Sequence, residues 1–206
     1  MKLKKGATKE PLVRSALRAD SSNVQIEPNA GAEPPHVRGA AKARVKVEEF
    51  GDFQCPSCAA LSPVLNQAEQ KEQGELCLIF RHLPLATDKH ADAAARAAEA
   101  VDLQGHFWEM HDLLYGSQLI WTRAAKVQEI FSQFAKSLGL DLQRFKTDME
   151  SDQVVARINA DQERAASLGV NRTPAIFING QRLPNSSLNQ KSLEQAIDKA
   201  IGPKAR

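Results

Sequence analysis

The chain has 206 residues, 42% of them hydrophobic, and a formal net charge of +2. That length supports one domain with a real core, and so small a charge gives no footing for nucleic-acid binding. No stretch approaches the ~20 consecutive apolar residues of a membrane span, and three cysteines are too few for a disulfide-stapled scaffold.

The charge is unevenly spread, with 10 Lys+Arg against 6 Asp+Glu in residues 1–50 and 17 against 19 in the remainder. No aromatic residue precedes Phe50, and residues 21–40 are rich in Ser, Asn, Pro, Gly and Ala. Such a segment buries too little apolar surface to offset the entropy of ordering. Residues 1–40 are therefore expected to be a flexible tail or linker, and 41–206 the folded domain. MKLKKGATKE carries the positive charge of a signal-peptide n-region, but no apolar h-region follows, so no export signal is expected in the sequence as given.

ARVKVEEF (Ala43–Phe50) alternates Val45, Val47 and Glu49 with its neighbours and predicts a strand. CPSCAALSPVLNQAEQKEQG predicts a helix, with Pro56 in its first turn and Gly74 as its stop. ELCLIFRHLPL (Glu75–Leu85) predicts a second strand, closed by Pro84. A long helical block follows, at about 87–168, with Phe107, Met110 and Leu114 on one face of one helix and Val127, Ile130, Phe131 and Phe134 in another. TPAIFINGQRLP returns to strand, with a hairpin turn at Asn179–Gly180. SLNQKSLEQAIDKAIG closes the chain as a helix. The order is strand, helix, strand, helical block, hairpin, helix, which predicts an α/β core carrying a helical insertion.

The chemistry concentrates at Cys55-Pro56-Ser57-Cys58. The thiolate is the reacting form in disulfide exchange, and an ordinary cysteine has a pKa of ~8.5. A helix start offers unpaired N–H groups and the positive end of the macrodipole, which stabilise the thiolate of the first cysteine. The i, i+3 spacing brings the second sulfur alongside it. Cys55 would then exchange with substrate sulfur and Cys58 would resolve the mixed disulfide. Three neighbours strengthen a motif that is weak alone. Glu49 precedes Cys55 on the strand and shares the apolar face of Val45 and Val47, which predicts burial and a role in handling protons. Pro63 falls inside the helix, where it bends the axis. Thr173-Pro174 opens the late strand and is a candidate cis bond.

The main rival is a zinc site made by Cys55, Cys58, Cys77 and His82. It leaves Pro56, Pro63 and Pro174 without a purpose, and Cys77, set among Leu76, Leu78 and Ile79, reads as a small core residue. His106 and His111 flank FWEM and are expected to be packing or surface residues.

Together, Glu49, Cys55-Pro56-Ser57-Cys58, Pro63 and Thr173-Pro174 resemble the thioredoxin fold. The helical block between the second strand and Thr173-Pro174 resembles the DsbA-like branch of thiol–disulfide oxidoreductases, and FRHLPL and HFWEMHDLLY are similar to stretches in its bacterial members. The resemblance covers about residues 43–201. It implies that Cys55 is the exposed nucleophile and Cys58 its buried partner, with Pro174 a cis-proline facing them. The backbone of Thr173 would pair with an extended substrate segment. The resemblance further implies cysteine-containing protein substrates and a redox partner that regenerates the disulfide, a membrane quinone-linked oxidase being one candidate. It implies no cofactor and no metal, and a place in the cell envelope or periplasm, whereas the missing h-region points to the cytoplasm as the alternative. Ser57 stands where the strongest oxidases of the family have His, so a moderate oxidant is expected. The alternative reading is a binding or metal-delivery module that keeps the fold without turnover.

Overall fold

The computed structural model describes residues 30–72 and 74–203. Five strands form one sheet in the order β1-β3-β2-β4-β5. β2 (Val45–Gly51) and β3 (Leu76–His82) form the parallel centre, with Val47 opposite Leu78 and Glu49 opposite Phe80. β4 (Ala175–Ile178) runs antiparallel to β2 on the other side and pairs with the short β5 (Gln181–Arg182) as a hairpin. Its turn places Asn179 and Gly180 at φ 49° and 78°, the left-handed backbone that Asn and Gly tolerate best. The Asn179 side chain also accepts from Lys46 N at 2.8 Å, which ties the turn to β2.

The parallel crossover from β2 to β3 is α1 (Pro56–Lys71), which continues through Pro63. α1 and the C-terminal α8 (Gln190–Ile201) pack on one face of the sheet. Val45, Val47 and Leu78 from the strands meet Leu61, Leu65, Leu193 and Ile197 there. Six helices lie between β3 and β4: α2 (Ala91–Asp102), α3 (Phe107–Gly116), α4 (Gln118–Trp121), α5 (Val127–Ser137), α6 (Leu142–Met149) and α7 (Asp152–Ser167). They build a second core around Met110, Leu114, Trp121, Phe131 and Phe145, and Phe53, Cys58 and Phe80 join it from the sheet side. Alanines along α2 keep that helix thin, so α3, α6 and α7 can all lie against it. The cysteine pair therefore sits where the two cores meet.

The expected tail needs correction over its last eleven residues, 30–40. β1 (His36–Gly39) adds to the sheet antiparallel to β3, with His36 opposite Phe80. Ala32 is buried, its N–H donating to Asp161 at 2.9 Å and its carbonyl accepting from Arg81 at 2.6 Å. His36 Nε2 lies 2.7 Å from Glu99, stacks on Phe107 at 3.5 Å between centroids, and is joined at Glu99 by Arg157 and His82. Arg38 lies over the ring of Trp108, whose Nε1 donates to Val37. These contacts order a segment whose own composition favours disorder. Residues 1–29, the rest of the expected tail, lie outside the described residues.

Candidate active site

Leaving β2, the chain turns over Asp52. Its buried carboxylate accepts from Gln54 N at 2.7 Å and from Leu85 N at 2.8 Å, and its carbonyl accepts from Cys55 N at 3.0 Å. Burial pushes the Asp52 carboxyl up to about 7; those backbone donors pull it down, and Asp88 adds to the rise. Gly51 is required here because a Cβ would meet Phe80 Cε2 at 2.5 Å and the Tyr115 hydroxyl at 2.8 Å. From the other side Gln118, at the start of α4, donates its Nε2 to the carbonyls of Phe53 at 2.7 Å and Cys55 at 3.0 Å.

Cys55 is the N-cap of α1 and is partly exposed; Pro56 and Ser57 are exposed in the first turn, and Cys58 is fully buried one turn on. Both are free thiols. A hydrogen bond from Cys58 pulls the Cys55 thiol down to about 5. Burial opposes this, while Thr173 and the backbone N–H groups of Cys58 and Ser57 assist. The backbone N–H groups of the helix start thus add to the lowering, behind the Cys58 hydrogen bond. Burial drives Cys58 far above the ordinary thiol range, with its hydrogen bond to Cys55 and the charges of Glu49 and Cys55 adding. One partly exposed, readily ionised thiol thus lies beside a buried thiol that holds its proton.

Thr173-Pro174 faces the pair and is a cis peptide. Cys55 Sγ lies 3.6 Å from the Thr173 carbonyl, and the Thr173 hydroxyl has no hydrogen-bond partner among the described residues. Glu49 is buried and its Oε1 is likewise unpartnered. Burial, with the charge of Cys55 adding, pushes its carboxyl up to about 8.

Every residue of the sequence-predicted set, Glu49, Cys55, Pro56, Ser57, Cys58, Thr173 and Pro174, therefore gathers at this one place. The zinc tetrad does not assemble. Cys77 pairs with Lys46, five residues before the C-terminal end of β2, which puts it ~16 Å of strand away from the loop that carries Cys55. His82 instead meets His36 and Glu99, three ligand atoms within 4.8 Å of one another. Arg157 already holds the other Glu99 oxygen at 2.7 Å. Burial would raise the Glu99 carboxyl, but hydrogen bonds from His36 and His82 overcome that and hold it well below the carboxylate range. Cys77 is buried in the core, as expected. His106 stays partly exposed, whereas His111 is buried against Phe53, Phe80 and Tyr115. Asp52, Tyr115 and Gln118 were not singled out from sequence. Asp52 had one available signal, its place between Gly51 and the cysteines; the other two act across the fold.

A sheet with a CxxC pair at the start of its crossover helix, faced by a cis-proline loop and flanked by a helical block, defines a thioredoxin-type protein of the DsbA-like kind. A thioredoxin family model matches residues 32–199, and the chain belongs to that family. It is 33% identical over 171 residues to the probable disulfide bond formation protein D of Bacillus anthracis, covering 79% of this chain and 76% of that protein. It is also 38% identical over 190 residues to the Na(+)/H(+) antiporter NhaA 1 of Salinispora arenicola, spanning 91% of this chain but only 28% of the antiporter. Among solved structures it shares the fold of oxidised BdbD from Bacillus subtilis. That match has a TM-score of 0.71 and 22% identity, and covers 85% of this chain and 98% of BdbD. Among the described residues no helix is long and apolar enough to cross a membrane.

Proposed function

We propose that the chain is a thiol–disulfide oxidoreductase that exchanges disulfides with cysteines of protein substrates through Cys55 and Cys58. One observation carries the reading: an accessible thiol pulled down to about 5 lies beside a fully buried thiol driven the other way. In the oxidising direction a substrate thiolate attacks Cys55 Sγ of the Cys55–Cys58 disulfide, and Cys58 leaves as a thiolate that takes a proton from Glu49. A second substrate thiolate then attacks the substrate sulfur of the mixed disulfide and expels the Cys55 thiolate. The substrate loses two electrons and gains a disulfide; the protein gains a dithiol. A quinone-linked oxidase is the class of partner that would take those electrons back. Thr173 and Pro174 supply the backbone against which an extended substrate lies.

The low Cys55 pKa stabilises the reduced form and makes the disulfide oxidising; Ser57, which adds no charge, keeps it moderate. The cell envelope, where protein disulfides persist in bacteria, is the place this activity fits. The test has two arms. The protein should catalyse reactivation of scrambled ribonuclease and insulin reduction, and Cys58→Ser should accumulate substrate mixed disulfides on Cys55 while Cys55→Ser accumulates almost none. No turnover in either assay, with no trapping, would leave a binding module.

A further inference from the structure

Glu49 and His111 line one small cavity between α1, β3 and α3, together with Ser62, Asn66 and Trp108. It holds about 10 Å³, the space of about one water molecule. Glu49 Oε1 is a buried oxygen with no partner among the described residues. The imidazole of His111 is buried and uses Nδ1 on Asp112 Oδ1 at 2.8 Å, which leaves Nε2 for the cavity. Asp112 is half exposed and is held by Arg38 at 2.7 Å and Asn66 at 3.3 Å. A buried acid, a one-water space, a buried imidazole and a solvent-exposed carboxylate thus stand in sequence from the sulfur pair to the surface.

We infer that His111 and Asp112 form a proton relay that recharges Glu49 during disulfide exchange, carrying protons between solvent and Cys58 through the helical block.

This rests on the proposed role of Glu49. When Cys58 leaves as a thiolate, the Glu49 O–H bond breaks and an S–H bond forms, and Glu49 becomes a carboxylate. Asp112 is a carboxylate and can only accept, so in this reduced form the neutral His111 ring carries its proton on Nδ1 and keeps Nε2 open as an acceptor. On oxidation of the dithiol the path runs outward: Glu49 O–H gives a proton to a water in the cavity, the water gives one to Nε2, Nδ1–H passes to solvent by way of Asp112, and the Glu49 carboxylate takes the Cys58 S–H proton as the disulfide forms. On reduction the same steps run backward, so the proton that Glu49 gives to Cys58 is replaced from solvent and the resting tautomer of His111 is restored. A neutral imidazole suits such a path, because it can accept at one nitrogen and donate at the other. Burial lowers the His111 pKa, Asp112 opposes that, and Arg38 from β1 and His82 from β3 add to the lowering, so the ring is neutral at rest. The groups facing Glu49 are Cys55, Cys58 and the Tyr115 hydroxyl. Of these, Cys55 is partly exposed, whereas Cys58 and Tyr115 are buried. Phe53, Phe80 and Trp108 pack edge-on around the His111 ring between the cavity and Asp112.

A relay changes rates and leaves the equilibrium alone, since it does not appear in the overall balance. The experiment follows reduction of the Cys55–Cys58 disulfide by dithiothreitol, with rapid acid quench and alkylation, from pH 5 to 9 in H2O and D2O. The glutathione equilibrium is measured in parallel. Glu49→Gln is expected to slow the step by tenfold or more, the lower end of what general acid–base groups supply being ~100-fold. His111→Gln and Asp112→Asn are each expected to slow it severalfold below pH 8, with the equilibrium oxidised fraction unchanged. Slowing by Glu49→Gln but wild-type rates in both other variants would overturn the relay and leave the Glu49 role standing. A wild-type rate in Glu49→Gln would overturn both. A His111→Gln protein that fails to fold leaves Asp112→Asn, on the surface, to decide.

Discussion

Cys55 Sγ lies 3.6 Å from the carbonyl oxygen of Thr173, which is 118 residues further along the chain. The sulfur most easily ionised in this protein is therefore held against the backbone of the loop that opens β4. In the proposed exchange, a substrate segment pairing with that loop would bring its own sulfur to Cys55.

With its thiol pulled down to about 5, Cys55 is thiolate at neutral pH. Iodoacetamide labelling of the reduced protein should rise through about pH 5 and level off above it. Cys58 and Cys77, both buried and both raised, should remain unmodified in peptide maps. A labelling midpoint near the ordinary thiol value of ~8.5 would contradict the geometry.

Glu49 and Cys55 also set opposing pH slopes in the stability of the reduced protein. The depressed Cys55 thiol stabilises the fold above its ordinary value, and that contribution is lost as pH falls through about 5. The raised Glu49 carboxyl stabilises the fold below its ordinary value, and that contribution is lost as pH rises through about 8. Between these values the two slopes oppose each other. Glu49→Gln removes the falling one, so urea unfolding of the reduced variant should show stability climbing with pH more steeply than in the wild type. Parallel slopes in the two proteins would mean that Glu49 is not held protonated.

Gln118 fixes the loop that carries Cys55 through two carbonyls, 65 and 63 residues away in sequence. Gln118→Ala takes the side-chain donor from the buried Phe53 carbonyl, while the Cys55 carbonyl keeps Ala59 N. The expected loss is about 1–3 kcal/mol, read by chemical denaturation, together with slower exchange at Cys55. A variant as stable as the wild type would show that the loop holds itself.

His36 joins β1 to Glu99 across 63 residues. Removing one partner of a buried charged network costs about 3–5 kcal/mol when nothing replaces it. Arg157 and His82 remain on Glu99, so His36→Ala should fall at or below the lower end of that range. A shift of no more than a few tenths of a kcal/mol in the unfolding midpoint energy would show that β1 is held by its backbone alone.

What the sequence made legible was local. Val45, Val47 and Glu49 alternate, Pro56 and the two cysteines mark a helix start, and Asn179–Gly180 can scarcely be anything but a turn. β1 was hidden because its four residues contain one apolar side chain, Val37, and lie in a stretch of Pro, Gly and Ala. It is ordered by the free edge of β3 and by Glu99, both supplied from far along the chain. Gln118 and Tyr115 were hidden for a related reason. One acts through backbone carbonyls and the other through its place against Gly51, and neither leaves a spacing to read.

The proposed moderate potential rests on Ser57. It is exposed in the first turn of α1, and its backbone N–H already favours the Cys55 thiolate. The side chain contributes no charge. An imidazole at this position would stand beside the thiolate on the solvent side, where its protonated form adds positive charge and a second donor. Both act on the reduced protein only, since the disulfide carries no charge to stabilise. Ser57→His should therefore raise the reduction potential by a few tens of mV, each ~30 mV being a tenfold change in the two-electron equilibrium. The rise should fade as pH climbs past the imidazole pKa of ~6.5. Equilibration with glutathione buffers at pH 6 and pH 8, with the oxidised fraction read by alkylation, measures both effects. An unchanged or lower potential at pH 6 would mean that solvent screens residue 57 from Cys55, and that the helix start alone sets the potential.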